Sequence, residues 1–268
     1  MTLTPARLER LSGPARAVPY VRQRLDLRIL ESLTARHPAL GATPGWALEF
    51  GRELNATEDR QLMTHRRGGC VVVEGKHIQP FRLAVPPDAL RVDPARQPRG
   101  GPVARAARAW RLAYRDVTGV SNRLALIAAL VPPGHVTVHT AICLKSPLPL
   151  TVQAYLCAVL NSAVANFVAR AWVTTHVGAG LMERMPVPRP AEVDPSFVAV
   201  ARLALRLRDS ATPDPDDAAR VQAAVGRLYG LDRGEFAHVL RAFPAAAGTG
   251  IQRCLEEWER LGGERLGR

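Results

Sequence analysis

Along the opening of the chain the apolar positions change spacing. Met1 to Pro19 is rich in Pro, Gly and Arg and has no period, whereas Val21, Leu25, Ile29 and Leu33 then recur every four residues. That step lines one face of a helix, so the pattern predicts an amphipathic helix over Tyr20 to Arg36. His37-Pro38 and Thr43-Pro44-Gly45 follow. A residue before Pro is pushed out of the helical region, which places a boundary near residue 45.

From Trp46 to about Leu150 the apolar runs shorten to strand length. Trp46 to Phe50, Cys70 to Val73, Ile78 to Leu83, Trp110 to Val117 and Val136 to Leu144 are separated by Gly and Pro, the signature of a β-rich or α+β core. Val85 to Pro102 carries five prolines and two glycines and reads as an extended surface loop. Thr151 to Trp172 has neither Pro nor Gly and is dense in Ala, Leu and Val, which predicts one long buried helix. After Pro186, Pro188 and Pro190 the period returns to helical over Val198 to Leu207, Asp216 to Leu228, Glu235 to Phe243 and Ile251 to Leu261. The fold class is therefore α+β: a β-rich core with a long buried helix, then a helical C-terminal region. The divisions fall at 1–45, 46–190 and 191–268.

Charge changes this picture. A formal net charge of +12 attracts polyanions, and between Arg60 and Arg115 twelve basic residues face only Glu74, Asp88 and Asp93. A cluster of that kind neutralises phosphates; a solvated basic loop is the other reading. Only Lys76 and Lys145 are lysines, but an Arg bias of this sort also follows from a GC-rich coding sequence. Cys70, Cys143, Cys157 and Cys254 form no C-x-x-C pair, so neither a zinc ribbon nor a disulfide framework is expected. With no apolar run of the roughly 18 residues that a membrane span needs, and no leader pattern, a cytoplasmic protein without a membrane partner is expected. His135, His139 and Cys143 are spaced H-x-x-x-H-x-x-x-C. On a strand that spacing does not converge on a metal, so no metal site is expected there.

Several segments carry a more specific signal through their order. They are Arg52-Glu53-Leu54-Asn55-Ala56-Thr57-Glu58-Asp59-Arg60; Val73-Glu74-Gly75-Lys76-His77-Ile78-Gln79-Pro80-Phe81; Tyr114-Arg115-Asp116-Val117 with Ser121-Asn122-Arg123 and Ile127-Ala128-Ala129-Leu130-Val131-Pro132; Leu160-Asn161-Ser162 through Phe167, Arg170, Thr175-His176 and Met185-Pro186-Val187-Pro188; and Leu228-Tyr229-Gly230-Leu231-Asp232 before Phe243-Pro244. In this order they resemble the C-terminal target-recognition region of Type IIG restriction-modification enzymes and related bacteriophage-exclusion adenine methyltransferases. The resemblance spans roughly residues 46 to 244.

That resemblance implies sequence-specific binding of duplex DNA. Asn55, Thr57, Gln79, Asn122 and Arg123 are side chains suited to base edges, Arg52, Arg60, Lys76 and Arg115 to phosphates, and His176 belongs to the same set. Arg52-Glu53 and Arg115-Asp116 could equally be internal ion pairs, with Leu160-Asn161-Ser162 and Met185-Pro186-Val187-Pro188 as packing and turn elements. A methyltransferase also needs a Gly-rich loop for S-adenosylmethionine and an [NDS]-P-P-[YF] motif to hold a flipped base. The Pro-Pro pairs here, Pro86-Pro87 and Pro132-Pro133, lack both the polar first residue and the aromatic last one. No enzyme activity, catalytic residue or cofactor of the chain's own is therefore expected, and S-adenosylmethionine belongs on a partner methyltransferase or restriction protein. An alternative is a protein-interaction scaffold of a phage-defence complex that keeps the recognition fold without reading DNA.

Overall fold

The computed structural model describes residues 3–13, 16–42, 46, 48–65, 68–96, 101–106, 108–118, 124–173, 175–243 and 250–263. The fold class is α+β, with the helices concentrated in the C-terminal half.

Two helices open the chain. α1 (Pro5–Ser12) lies in the stretch that has no apolar period; Thr4 caps it and Pro5 starts it, where a fixed φ and a missing N–H cost nothing. α2 (Arg24–Arg36) starts later than the periodicity predicts, because Gln23 and Asp26 form a reciprocal capping box that satisfies the first free N–H groups.

The central strands are short: β1 (Phe50–Gly51), β2 (Met63–Thr64), β3 (Cys70–Val73), β4 (Ile78–Gln79), β5 (Arg82–Leu83), β6 (Arg91–Val92), β7 (Arg111–Arg115), β8 (Ala128–Val131), β9 (His135–Thr137) and β10 (Ala141–Leu144). They form an antiparallel sheet in the order β1-β10-β7-β8, a mixed sheet in the order β2-β6-β3-β9, and the β4-β5 hairpin. β3 and β9 run parallel, pairing Val72 with Val136. The expected strand over Val136 to Leu144 is two strands in different sheets. Between them Ala141 N–H bonds Val138 O at 2.8 Å, so the chain turns at 138–140 and changes layer. The expected loop after Val85 holds β6, which pairs with both β2 and β3, and the short helix α3 (Pro102–Ala106) follows it.

The expected single helix over Thr151 to Trp172 is two, α4 (Leu150–Leu160) and α5 (Ala163–Arg170), set at 63°. Ser162 turns its hydroxyl to Ala165 N–H at 3.1 Å and caps the second helix, so a polar pair inside an apolar run is a start signal. No single helix among the described residues is long and apolar enough to cross a membrane. After α6 (Ala179–Arg184), helices α7 (Pro195–Asp209) and α8 (Pro215–Leu228) each begin with an Asp cap followed by Pro. α9 (Arg233–Ala242) and α10 (Ile251–Gly263) complete the array.

α4 packs on β7 and β8 on one side and on α7 on the other. Tyr155 of α4 and Phe197 of α7 stack with centroids 4.6 Å apart. One cluster of buried apolar side chains takes members from all three stretches, from Leu11 through Tyr114 and Tyr155 to Trp258. A smaller cluster around Val72, Val92 and Val136 fills the second sheet.

The helices also complete the first sheet through amide side chains. Gln153 accepts from Leu112 N–H at 2.6 Å and donates to Trp110 O and Leu148 O. Asn161 accepts from Ala128 N–H at 3.0 Å and donates to Ala128 O at 2.8 Å, and Asn166 accepts from both Ala125 and Leu126 N–H. Each amide is buried. Together they satisfy backbone groups that would otherwise be stranded away from water.

Candidate nucleic-acid interface

The first of the ordered segments, Arg52 to Arg60, is organised by an internal ion pair that is not the one its letters pair up. Glu53 bonds across to Arg111 of β7 at 2.8 Å, with side chains 3% and 8% exposed, while Arg52 beside it is exposed. The second oxygen of Glu53 accepts from Thr137 N–H and Oγ1 at 2.8 and 2.9 Å. Arg111 in turn donates to the carbonyls of Ala106, Ala109 and His135. A buried carboxylate is tolerable only when its lone pairs and its charge are both answered, as here. The pair ties the Arg52–Arg60 segment to both sheets.

Beyond Leu54 the chain turns on its own side chains. Asp59 accepts from Asn55 N–H at 2.8 Å, and Asn55 Oδ1 accepts from Thr57 N–H at 3.0 Å. Ala56 N–H donates to His139 Nδ1 at 3.2 Å. His139 is thus a loop support, and among the described residues no group of His, Cys, Asp and Glu is placed to hold a metal ion. Arg52, Thr57 and Arg60 are exposed. Their side chains have no hydrogen-bond or ion-pair partner among the described residues.

The Glu74-Gly75-Lys76 turn is explained by close packing. A Cβ on Gly75 would sit 2.4 Å from Thr140 O, so only glycine lets the turn approach the β9-β10 crossing. Gly75 N–H bonds Thr140 Oγ1 at 2.8 Å. Arg115 clamps the turn from the far side, its Nε on Gly75 O at 3.0 Å and an Nη on Ile78 O at 2.7 Å. Burial lowers its proton affinity below the usual guanidinium value. Arg115, expected at a phosphate, is therefore a scaffold residue: with these carbonyls held, its guanidinium answers desolvation inside the protein. Lys76 is 69% exposed and pairs with Glu74 at 3.0 Å. Gln79 rests its amide nitrogen on Lys76 O at 3.3 Å. Its carbonyl oxygen has no partner among the described residues.

Asp116 pairs with His176 at 3.3 Å rather than with Arg115, and the His176 side chain remains 58% exposed. Asn122 and Arg123 lie outside the described residues. Of the fourth segment, Asn161 is the sheet-completing amide described above, and Pro186 and Pro188 present carbonyls to Tyr229 and Tyr155 hydroxyls, each at 2.9 Å. These are packing elements.

A cleft of about 620 Å³ opens beside the Glu53–Arg111 pair. Trp110, Leu148 and Pro149 line it with apolar surface, while Arg105 of α3, Arg108 beyond its end and Lys145 after β10 supply cations. Arg105 and Arg108 are exposed. Lys145 Nζ bonds Arg52 O at 2.7 Å, so the first segment borders this cleft. Burial lowers the Lys145 proton affinity, with repulsion from Arg105 and Arg111 adding to it and Glu53 opposing. Trp110 is covered on one face by Arg208 of α7 at 4.6 Å.

Three other basic residues of the 60–115 window are tied to the protein itself: Arg82 donates to Ser210 O and Ala211 O, and Arg111 and Arg115 are the internal clamps already described. The cleft escaped sequence reasoning because Lys145 lies outside that window. The signal available was that it is one of two lysines in the chain, directly after an apolar strand and before a Pro-rich turn.

No protein-family model matches this chain, and no curated protein matches its sequence.

Proposed function

We propose that this chain binds duplex DNA as the target-recognition component of an adenine methyltransferase or restriction-modification system, with methyl transfer carried out by a separate chain. The observation that carries the reading is the grouping of cations, Arg105 and Arg108 exposed and Lys145 half-buried, on an internally neutralised scaffold. Glu53 and Arg111 answer each other, Arg115 answers backbone carbonyls, and Arg105, Arg108 and Lys145 gather at one cleft that borders Arg52. Cations so placed are suited to phosphates, and Gln79 of β4 and Thr57 of the first segment are side chains suited to base edges. The ordered segments supply the scaffold, and the cationic and polar side chains beside them supply the contacts.

The test is duplex binding by the full chain, followed by fluorescence anisotropy across a range of salt concentrations. Each phosphate contact contributes about 0.9 to the slope of log K against log salt. The double variant Arg105→Gln/Arg108→Gln should lower that slope by about 1.8 while leaving the circular dichroism spectrum unchanged. Absence of duplex binding at low salt, or a slope that the variant leaves untouched, overturns the reading in favour of a protein-interaction scaffold.

A further inference from the structure

A second cleft, of about 660 Å³, shares no lining residue with the first. One wall is the Tyr20–Gln23 approach to α2, and the others are the C-terminal ends of α5 and α9. Its volume lies within the range of small-molecule sites, about 300–1,000 Å³.

The cleft concentrates positive charge at an aromatic lip. Tyr20 is anchored by its N–H to Ala171 O at 2.8 Å, yet the residue is 62% exposed. Arg22 lies 5.8 Å from that ring centroid. Arg170 lies 5.3 Å over the ring of Phe243, and Arg241 is exposed at the end of α9. Among the described lining residues the one carboxylate is Asp26, and both of its oxygens are engaged. Oδ1 faces His238 Nε2 at 2.6 Å, and Oδ2 accepts from Arg22 N–H at 2.7 Å and Gln23 N–H at 2.8 Å.

Arg22 and Arg241 have no ion-pair partner among the described residues. Arg170 is held below the usual guanidinium value by burial and, secondly, by repulsion from Arg22, so two like charges share the space. Guanidinium groups match phosphate through forked, charge-assisted hydrogen bonds, and an exposed aromatic face beside them accepts a stacked base.

We propose that this cleft binds a nucleoside phosphate, its phosphate held among Arg22, Arg170 and Arg241 and its base laid on Tyr20. The ligand is either a free nucleotide or the terminal nucleotide of a strand. The inference stands apart from the DNA-recognition reading, since its residues are not those of the first cleft.

Isothermal titration of the full chain with 5′-AMP, adenosine, inorganic phosphate and a 5′-phosphorylated single-stranded oligonucleotide tests it. AMP should bind at least about tenfold more tightly than adenosine or phosphate alone, and Tyr20→Ala should weaken AMP about tenfold while leaving phosphate unchanged. Arg22→Gln/Arg241→Gln should weaken AMP by about tenfold or more; both residues are exposed, and an unchanged circular dichroism spectrum confirms the fold. Arg105→Gln/Arg108→Gln should leave AMP binding unaffected, which separates this site from the duplex-binding surface. If the oligonucleotide alone binds, and does so with the same sensitivity to Arg22 and Arg241, the source is a strand end. If neither AMP nor the oligonucleotide responds to those two substitutions, the proposal is wrong.

Discussion

Replacing Arg111 by methionine tests the ion pair at the base of the first cleft. The substitution keeps the length and much of the volume of the side chain but leaves Glu53, 3% exposed, with only the two donors of Thr137. It also strips donors from the carbonyls of Ala106, Ala109 and His135. Removing one partner of a buried pair costs about 3–5 kcal/mol, because an unanswered charge stays behind. For a chain of this size that corresponds to a fall in midpoint temperature on the order of 10 °C.

The control is the double variant Glu53→Leu/Arg111→Met, which removes the stranded carboxylate as well. It should be no less stable than Arg111→Met, because the apolar pair carries no buried charge. Urea denaturation monitored by tryptophan fluorescence, at neutral pH and with m-values compared, measures all the variants needed for the cycle. A loss below about 1 kcal/mol for Arg111→Met, or strict additivity of the two single changes, would falsify the claim that this pair is the keystone joining the Arg52–Arg60 segment to the two sheets.

Gly75→Ala is expected to cost about 2 kcal/mol or more in chemical denaturation, since its methyl would lie 2.4 Å from Thr140 O and backbone must move; wild-type stability would show that the turn has slack. Asn161→Leu strands Ala128 N–H, while Ala128 C=O keeps Phe81 N–H at 3.0 Å, and should lose about 1–3 kcal/mol, with accelerated amide exchange at Ala128 by NMR as the local readout. Burial, reinforced for Cys143 by Glu53, pushes the Cys143 and Cys157 thiols up to about 12. Iodoacetamide at pH 8 should therefore label them only after denaturation, and rapid native labelling at either position contradicts their burial. For Asp26, burial alone would raise the carboxyl, but His238 and the Arg22 and Gln23 N–H groups outweigh it and bring it below its usual 3.8. A depressed folded value means that its contribution is complete above the unfolded value and disappears as pH falls through the folded one. Asp26→Asn should accordingly flatten the acid limb of the stability curve below about pH 4, and an identical limb in both proteins refutes the assignment.

The sequence carried the class of the fold and the approximate places of most helices, because periodicity and caps are local. Asp194-Pro195 and Asp214-Pro215 mark helix starts without knowledge of the rest of the chain. What it concealed depends on distant partners. The division of α4 from α5 needs the backbone of β8, since Asn161 turns toward Ala128 instead of extending the helix. The split of Val136 to Leu144 needs two sheets to divide between, and β6 needs neighbours on both sides before Arg91–Val92 is a strand.

For the candidate interface, residue type was legible and role was not. Arg115 and Arg111 look the same in a list of cations as Arg105 and Arg108. Only the carbonyls at 2.7–3.0 Å from Arg115 and the carboxylate at 2.8 Å from Arg111 set them apart as framework. Lys145 became visible through its bond to Arg52 O and its place in the cleft.

The three amides that finish the first sheet bind main chain, not side chain. Gln153, Asn161 and Asn166 grip atoms common to nearly every amino acid, so the requirement falls on the helices alone. Leu112, Ala125, Leu126 and Ala128 can each be exchanged for another residue of similar bulk without altering what the amides hold. A sheet secured in this one-sided way leaves its strands, and the turns that connect them, open to drift in composition while the helical backing keeps its few polar letters.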